Sequence, residues 1–596
     1  MKFFSTLVAS TLGALLAFGI AFFVFVLFIV ALASMSETTP TVQQNSVLVL
    51  DLAGTIPERG SADPISRAIT GELSYGTADV LRALDMAAVD DRIRGVWIQA
   101  SSSSTSWSTL EEIRKALEDF RASGKPIIAS SNGTPISENE YFLMSAADSV
   151  FGLPDAPFEF NGFYLNAEFY KGALDKLNVE PQIVRAGRFK SAVEPYLRKD
   201  LSPENEEQLS LLLETRFDGF VEAVADRRNL DVGRVRSLLN GTQVFVTNEA
   251  LAAGLLDGLA YEDEMVARLK SVTGIDEAAE LRTVAMSDYA MLSPSAAGIR
   301  RNSANEIAVL YAEGTIVNGQ SEQGISVGPE SIRRQVDRIL DRESVKAVVL
   351  RINSPGGSVT ASDEMLRDLR RLAEEKPIIA SMGSVAASGG YWIAMAADTI
   401  VADPATVTGS IGVFSLFFNV GGLFSDKLGI NFDVVRTGPT ADMMSGVRSL
   451  TADERAAWQR RVDDTYDRFI SLVAQNRGMT PEQVDELASG RVWSGKDALE
   501  RQLVDELGGL DDAIAIAAST VGLEEGDYVV RAYPGQMTFL ERLSSRMEAG
   551  VSIRMPTPKR LTQLEQVALE RTRQIEELLR DTASIQARLP VTIRIN

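Results

Sequence analysis

Short apolar runs alternate with amphipathic segments along the chain, and the pattern is clearest in the second half. Val345–Ile352 is a mostly apolar run and Pro377–Met382 is another, as expected of buried strands. Apolar residues also recur at helical spacing on one face of two further segments: Ile332, Val336, Ile339 and Leu340, then Met365, Leu366, Leu369 and Leu372. Strands that alternate with helices in this order predict an α/β fold with a largely parallel sheet covered by helices.

This pattern occurs twice. Ser46–Ile56 recurs as Glu306–Ile316, and further copies match 125–130 with 376–381 and 141–148 with 391–398. The copies lie about 250–260 residues apart throughout, which indicates an internal duplication. The chain has 596 residues, more than the roughly 250–300 that a single core supports. We therefore predict two homologous domains, residues 37–300 and 301–535, joined near residues 293–305.

The N-terminal segment is apolar enough to cross a membrane. No charged residue lies between Lys2 and Glu37, and Leu12–Leu32 is almost wholly apolar. A bilayer core of about 30 Å needs about 20 helical residues, whereas the apolar region of a cleaved signal has about 7–15. We predict an uncleaved anchor within residues 1–36, with Lys2 placing the N-terminus in the cytoplasm. The alternative is a removable signal that ends at the Ala-Leu-Ala sequence at 31–33.

Composition and charge narrow the possible chemistry. The chain has no Cys and no His, which excludes thiol nucleophiles, disulfides, Ser-His-Asp triads and His-ligated zinc. Any catalytic base must be a lysine, a carboxylate, a tyrosine or an amine. The formal net charge of −22 argues against a nucleic-acid-binding protein, which needs a basic surface. The ligand spacing does not suggest a metal or an organic cofactor.

A serine among small residues follows the Pro377–Met382 strand. Ser388 lies between alanines and glycines, directly before an apolar segment that is predicted to be a helix. Small neighbours leave the hydroxyl accessible, and a helix N-terminus favours developing negative charge. Ser388 is therefore a candidate nucleophile. The alternative interpretation is a helix N-cap, a position that serine commonly occupies.

A glycine-rich turn, Asn-Ser-Pro-Gly-Gly at 353–357, follows the Val345–Ile352 strand. Glycines allow backbone N–H groups to face a cleft, which suits an oxyanion hole, although a Pro-Gly pair is also an ordinary turn. The first half is an internal control. It has Glu138 where the second half has Ser388, and the serine-rich segment 101–106 replaces the turn. The fold therefore does not require these residues.

One lysine is the candidate general base. Val184–Pro195 corresponds to the segment that begins at Val435, and this alignment places Lys190 opposite Ala441. The first half thus has the lysine without the serine, and the second half has the serine without the lysine, which predicts one composite site. A neutral lysine can take the proton of a serine hydroxyl. The alternative is a surface lysine paired with Glu194, although the following proline disfavours the helical geometry that this pair needs.

Four motifs together resemble the long, duplicated form of bacterial signal peptide peptidase A. They are Asn-Ser-Pro-Gly-Gly at 353–357, Ala-Ser-Gly-Gly-Tyr-Trp at 387–392, Thr-Gly-Ser-Ile-Gly at 408–412 and Gly-Arg-Phe-Lys-Ser-Ala-Val-Glu-Pro at 187–195. The resemblance implies Ser388 as nucleophile, Lys190 as general base and Ser410 as the hydroxyl that orients the lysine. It implies a backbone oxyanion donor at Gly356 or Gly357. It also implies tandem crotonase-like domains, related to caseinolytic protease, in a bowl-shaped homotetramer.

The function implied by this resemblance is hydrolysis of hydrophobic peptides, chiefly signal-peptide remnants, at the outer face of the cytoplasmic membrane. Serine-lysine chemistry needs no cofactor, and we expect no nucleic-acid partner. Two alternatives remain open: a crotonase-type acyl-CoA enzyme, and a non-catalytic membrane scaffold with a degenerate peptidase fold. Residues 536–596 are expected to form a helical extension, in which Leu561–Leu589 is a charged amphipathic helix.

Overall fold

The computed structural model describes residues 41–51, 53–60, 75–131, 133–241, 246–299, 303–535 and 586–588, together with residues 13, 16, 19, 20 and 23. Most of the predicted anchor and most of the predicted C-terminal helix therefore lie outside the described residues. Within the described residues, no helix combines the length and the apolar character needed to cross a bilayer.

The first half is a parallel sheet with helices packed against it. Its strands are β1 (Ser46–Asp51), β2 (Ile93–Ala100), β3 (Ile127–Ser131), β4 (Ser149–Gly152), β5 (Glu180–Ala186), β6 (Gly258–Leu259) and β7 (Arg282–Ala285). Its helices are α1 (Thr77–Val89), α2 (Trp107–Arg121), α3 (Glu138–Met144), α4 (Lys171–Leu177), α5 (Glu194–Leu197), α6 (Pro203–Arg228), α7 (Val232–Leu239), α8 (Thr247–Ala252), α9 (Glu262–Thr273) and α10 (Met286–Tyr289), with 3-10 turns at Ser191–Val193 and Pro294–Ala297. The sheet order is β6-β4-β3-β2-β1-β7, and every neighbouring pair is parallel.

The second half repeats this arrangement. Its strands are β8 (Glu306–Glu313), β9 (Thr315–Ile316), β10 (Ser326–Val327), β11 (Val345–Ser354), β12 (Gly356–Ser358), β13 (Ile378–Ala387), β14 (Thr399–Ala402), β15 (Val407–Gly409), β16 (Val413–Asn419), β17 (Val492–Ser494), β18 (Glu506–Leu507), β19 (Val529–Tyr533) and β20 (Gln586–Arg588). Its helices are α11 (Pro329–Leu340), α12 (Val359–Ala373), α13 (Gly389–Ala394), α14 (Ala452–Arg477), α15 (Pro481–Leu487), α16 (Gly495–Glu500) and α17 (Leu510–Thr520), with a π-helix at Leu423–Leu428. The main sheet has the order β17-β15-β13-β11-β8-β19, and β14 pairs with β13.

These sheets confirm the predicted α/β class and the duplication. The β2–β3 pair places Gln99 beside Ser130, and the β11–β13 pair places Arg351 beside Ser381 in the same relation. The predicted apolar faces of α11 and α12 are packed in the core of the second half. Periodicity predicts this packing because an amphipathic helix removes its apolar face from water when it lies on a sheet.

A third sheet joins the two halves, in the order β10-β9-β12-β20-β16-β5. Strand β5, from the first half, pairs antiparallel with β16 from the second. Buried charges make a second connection, because Arg351 contacts Glu58 at 2.9 Å and Glu112 at 2.6 Å. Strand pairing and a desolvated ion cluster therefore both set how the halves are oriented.

Candidate active site

The β5–β16 pairing explains how Lys190 reaches the second half. Ala186 at the end of β5 lies opposite Val413 at the start of β16. In an antiparallel pair, residues after the end of one strand lie beside residues before the start of the other. Lys190 therefore lies beside Ser410, and the register of one strand pair brings together side chains from different halves.

Backbone hydrogen bonds hold the lysine segment in this position. Phe189 N–H donates to the carbonyl oxygen of Ser489 at 2.9 Å, which ties the segment to the second half. The same stretch of the second half is linked to the Ser410 loop, since Ser410 N–H donates to Arg491 O at 2.7 Å. Lys190 and Ser410 are thus positioned by one continuous set of main-chain contacts.

Ser388 has a strained backbone at the end of β13. Its φ is 55° and its ψ is −112°, a conformation that non-glycine residues seldom adopt and that is common at functional sites. Its N–H donates to Gly409 O at 2.8 Å, which fixes the turn. Ser388 precedes α13, but its side chain makes no capping hydrogen bond. The alternative interpretation as an N-cap is therefore not supported.

The side chain of Ser388 meets Lys190. Lys190 Nζ lies 2.8 Å from Ser388 Oγ, 2.9 Å from Ser410 O and 3.0 Å from Ser410 Oγ. All three side chains are buried. The structure thus brings together the serine, the lysine and the second serine that were named from sequence.

Burial holds the pKa of Lys190 well below its ordinary value, because removal from water disfavours the ammonium. Its contacts suit a neutral amine, which has two hydrogens and one lone pair. Nζ–H groups donate to Ser410 O and Ser410 Oγ, and the lone pair accepts from the Ser388 hydroxyl. The Ser410 hydroxyl in turn lies 3.5 Å from Gly490 O, a possible acceptor for its hydrogen. This arrangement places an amine with a lowered pKa against Ser388 Oγ, the contact that a general base needs.

Glu194, the other partner considered for Lys190, is directed elsewhere. Its Oε1 accepts a hydrogen bond from Ser202 Oγ at 2.5 Å, and its side chain is buried. The interpretation of Lys190 as a surface residue of an ion pair with Glu194 is therefore wrong.

The glycine turn lies against the same site. Gly356 and Gly357 have φ values of 91° and 156°, in the region that favours glycine. Gly356 N–H donates to Ser354 Oγ at 3.2 Å, and Ser354 Oγ–H donates to Gly314 O at 2.7 Å. The turn lies against the start of α13, since a Cβ on Gly356 would lie 2.6 Å from Gly389 N, the residue after Ser388.

Comparison with known proteins shows the family of the chain. The model of peptidase family S49 matches residues 119–276 and 370–524, one stretch in each half. The chain belongs to peptidase family S49. Protease 4 of Salmonella typhi is 34% identical over 534 residues, which cover 85% of this chain and 83% of that protein. The chloroplastic serine protease SPPA of Arabidopsis thaliana is 35% identical over 480 residues, covering 80% and 69% respectively.

Protease 4 of Haemophilus influenzae is 33% identical over 528 residues, covering 85% of this chain and 84% of that protein. Because these similarities span both halves, the chain is a long, duplicated S49 serine peptidase of the signal peptide peptidase A type. The acyl-CoA enzyme and the non-catalytic scaffold, both left open by the sequence, do not fit this assignment.

A strand from the C-terminus of this S49 peptidase lies beside the glycine turn. β20 pairs antiparallel with β12, with Gly357 opposite Ala587, and it also pairs antiparallel with β16. A Cβ on Gly356 would lie 2.1 Å from the carbonyl oxygen of Ala587. Residues 586–588 were expected at the end of a helix, but they form a strand. A strand of three residues is too short to show the alternation of apolar and polar residues that predicts a strand. The sequence therefore did not indicate β20.

Proposed function

We propose that this S49 peptidase is a membrane-anchored endopeptidase that hydrolyses hydrophobic peptides, chiefly signal-peptide remnants, on the outer side of the cytoplasmic membrane. The observation that carries the proposal is the buried contact between Lys190 Nζ and Ser388 Oγ, at 2.8 Å. The apolar run Leu12–Leu32 supports the anchor. An enzyme held at the membrane would meet peptides released within the bilayer.

The dyad accounts for acylation. Lys190 takes the Ser388 hydroxyl proton while Oγ bonds to the peptide carbonyl carbon, and the carbonyl electron pair moves to oxygen. The N–H of Gly357 stabilises that oxyanion, because the N–H of Gly356 is already hydrogen-bonded to Ser354 Oγ. When the carbonyl re-forms, the C–N bond breaks and the Lys190 ammonium gives its proton to the leaving amine. The product is an acyl ester on Ser388.

Deacylation uses the same groups in the same order. Lys190, neutral again, takes a proton from a water molecule as its oxygen attacks the ester carbon. The second oxyanion collapses, the bond to Oγ breaks, and the Lys190 ammonium returns a proton to Ser388 Oγ. The peptide carboxylic acid leaves, and the resting dyad is restored.

The position of β20 supports a mode of substrate binding. A peptide that replaced β20 would pair with β12 and β16 as an extended strand, and its carbonyl groups would pass the glycine turn. Such strand addition uses main-chain hydrogen bonds for affinity and side-chain pockets for specificity. The side chain of Ala587 is packed in the apolar core of the second half, which supports a preference for apolar residues at that position.

A serine-directed fluorophosphonate tests the nucleophile directly. We expect the purified full chain to be labelled at Ser388, as mapped by mass spectrometry, and we expect Ser388→Ala and Lys190→Ala to remain unlabelled. Hydrolysis of an apolar peptide should exceed that of a charged peptide of equal length. Labelling at another serine would contradict the assigned site. Equal hydrolysis of both peptides would contradict the proposed specificity alone.

Membrane attachment has its own measurement. The full chain should sediment with membranes after a high-salt or carbonate wash, because an apolar anchor does not depend on charge. External protease should reach the catalytic halves in cells whose outer barrier has been removed. Release by the wash would contradict the anchor, and protection from protease would contradict the orientation.

A further inference from the structure

The strand that leads to the proposed nucleophile contains a bulge. β13 is paired regularly with β11 as far as Met382 opposite Ile352, and the pairing resumes with Ala386 opposite Ser354. One residue of β11 therefore faces three residues of β13, at 383–385, which we call the bulge. Bulges bend a strand and re-aim the residues that follow. The residue that directly follows β13 is the proposed nucleophile.

The bulge sets the position of Ser388 along the strand. Beyond the bulge, β13 leaves β14 and pairs with β15, and the Ser388 N–H then donates to Gly409 O at 2.8 Å. If the bulge moved by one residue, the strand beyond it would slide by about 3.3 Å and its side chains would change face. The contact of 2.8 Å between Ser388 Oγ and Lys190 Nζ would then be lost. The dyad therefore depends on a fixed bulge.

The equivalent strand of the first half is shorter. β3 ends at Ser131, which corresponds to Met382, whereas β13 continues through the bulge to Ala387. The bulge therefore belongs to the half that has the serine, and the shared fold does not require it. Bulges are common next to active sites, where they direct a side chain.

Two hydroxyl groups of the first half contact the bulge. Ser108 Oγ–H donates to Ser384 Oγ at 3.0 Å, and Ser384 Oγ lies 2.5 Å from Ser106 Oγ. Ser106 Oγ–H donates to Thr109 Oγ1 at 2.9 Å, so the Ser384 hydroxyl is the donor to Ser106. Ser106 ends the serine-rich segment 101–106, which stands where the second half has its glycine turn. The segment that replaces the turn thus contacts the strand of the nucleophile.

A buried carboxylate of the first half, that of Glu58, also contacts the bulge. A Cβ on Gly383 would lie 2.6 Å from Glu58 Oε1, so this close approach needs a glycine. Asn353 links the same carboxylate to the bulge, since its Nδ2–H donates to Glu58 Oε1 at 3.4 Å and its Oδ1 accepts from Val385 N–H at 3.2 Å. Arg351 fixes the carboxylate with two hydrogen bonds, at 3.0 and 2.9 Å. Glu58 therefore acts on the bulge at its first and last residues.

We propose that Glu58, Ser106 and Ser108 are positioning residues for Ser388. They hold the bulge in place, so that β13 presents the Ser388 hydroxyl to Lys190. They act through the strand, because their partners are the bulge and the residues beside it. The inference rests on the proposed Ser388–Lys190 site, and it gives the first half a second part in that site besides the lysine.

Two variants of Ser384 test the hydroxyl contacts at nearly equal side-chain size. Ser384→Val removes the hydroxyl, whereas Ser384→Thr keeps it. We expect Ser384→Val to lower kcat about threefold to tenfold, the equivalent of one lost hydrogen bond, with KM little changed. Ser384→Thr should keep most of the parent's kcat. The rate of fluorophosphonate labelling at Ser388 should follow kcat in both variants, because it reports the reactivity of the nucleophile without the binding of a peptide.

The matched control is Thr215→Val, which also removes a hydroxyl contact between the halves. Thr215 Oγ1 lies 3.4 Å from Ser494 Oγ, on β17. Because this contact is outside the bulge, Thr215→Val should keep the parent's kcat and labelling rate. Each variant is measured well below the midpoint of its own thermal unfolding, so that loss of folded protein does not lower the rate.

Glu58→Gln tests the carboxylate. The amide keeps the shape of the side chain and one acceptor but loses the charge that faces Arg351, while Glu112 still pairs with Arg351 at 2.6 Å. We expect kcat to fall by roughly 10–100-fold with KM little changed, since hydrogen bonds between charged groups are the stronger ones. The control is Lys115→Met, which removes an ion pair between the halves, 3.0 Å from Lys115 Nζ to Asp512 Oδ1. It should leave kcat unchanged.

Three results would overturn the proposal. They are a Ser384→Val variant that keeps the parent's kcat and labelling rate, a Ser384→Thr variant that loses as much activity as Ser384→Val, and a rise in KM at unchanged kcat in these variants. Should Glu58→Gln fail to fold, the two Ser384 variants decide alone. A parent chain labelled at a serine other than Ser388 would contradict the proposed site itself, which separates the two failures.

Discussion

At the start of two equivalent helices, α3 after β3 and α13 after β13, the first half has Glu138 and the second half has Ser388. Glu138 Oε1 accepts hydrogen bonds from the N–H groups of Asn161 and Gly162, at 2.7 and 2.9 Å. Ser388 Oγ instead meets Lys190. The same point in the fold thus holds a carboxylate with backbone partners in one half and a hydroxyl in contact with a buried lysine in the other.

The position two residues further along, Gly390 in the second half and Glu140 in the first, shows the same contrast. In the second half, a Cβ on Gly390 would lie 2.7 Å from Ser354 O, so the glycine lets the helix approach the glycine turn. The first half has Glu140 there, and its carboxylate accepts from the N–H of Ser103 in the serine-rich loop. Backbone donors near the site are therefore satisfied by fixed side-chain anions in the first half. In the second half, we propose that the turn meets an anion that forms only during reaction.

The two halves of the duplicated scaffold contribute different residues to the proposed site. Lys190 comes from the first half and Ser388 from the second, and the β5–β16 pairing brings them together. The first half contributes the lysine and structural support. Glu138 stands where the second half has Ser388. Its carboxylate accepts hydrogen bonds from two N–H groups, so the first half keeps its local structure without the serine.

The largest expected effect on kcat is at Ser388, the residue that corresponds to Glu138. Ser388→Ala should lower kcat by roughly 10⁴–10⁶-fold, because no nucleophile remains. Glu138→Ala should leave kcat unchanged but lower the free energy of unfolding by about 1–3 kcal/mol, because buried N–H groups lose their acceptor. Peptide hydrolysis and thermal unfolding of both variants measure this. A loss of activity in Glu138→Ala would break the contrast.

Substitution of Lys190 should have the next largest effect. Lys190→Arg and Lys190→Met should each lower kcat by about 10²–10⁴-fold, since the guanidinium does not deprotonate in this range and Met has no basic nitrogen. The activity of the parent enzyme should rise with pH along one ionisation well below 10.4, the usual pKa of lysine. Near-normal kcat in Lys190→Arg would show that another group is the base.

The lowered pKa also predicts a change in stability. The folded chain holds the Lys190 proton less tightly than the unfolded chain, so the penalty for burying the amine is complete below the folded pKa and is lost as pH rises towards about 10.4. Lys190→Met removes that penalty. The variant should therefore unfold at a higher temperature than the parent at neutral pH, and the advantage should shrink as the pH approaches 10. Thermal unfolding at several pH values measures it.

Ser410 contributes less, because it acts through the lysine. Ser410→Ala removes one of two acceptors that orient Nζ but keeps the backbone acceptor Ser410 O, which lies 2.9 Å away. The loss of one such hydrogen bond corresponds to roughly a 10–100-fold fall in kcat. KM should change little, and Ser410→Thr should recover part of the activity. An unchanged kcat would show that the carbonyl alone positions the lysine.

The sequence named Lys190 and Ser388 as candidates, and the structure brings their side chains together. The absence of His and Cys left a lysine, a carboxylate, a tyrosine or an amine as the base, and the repeat showed that Lys190 faces Ala441 and Ser388 faces Glu138 in the opposite half. Periodicity predicted α11 and α12 because their apolar faces follow a local rule. These inferences need only neighbouring residues and an internal alignment.

Contacts between distant segments could not be predicted in this way. The register of β5 on β16 depends on how the two halves pack, and β20 is too short to show a strand pattern. The positive φ of Ser388 is likewise set by its surroundings, since serine has no intrinsic preference for it. Tertiary context decided each of these features.

The smallest expected effect is a change in KM, and it concerns the groups that lie over the matching positions of the two halves. In the first half, Glu138 fills the position from within, whereas in the second half β20 lies over Gly356 and Gly357 and occupies the place we propose for substrate. Ala587→Pro removes an N–H and adds a ring at a residue that is 0% exposed. If the strand competes with substrate, KM should fall by about threefold to tenfold, the equivalent of one lost hydrogen bond, with kcat unchanged. Ala587→Ser keeps the N–H and should match the parent. A lower kcat at constant KM in Ala587→Pro would instead show that β20 supports the glycine turn and does not compete with substrate.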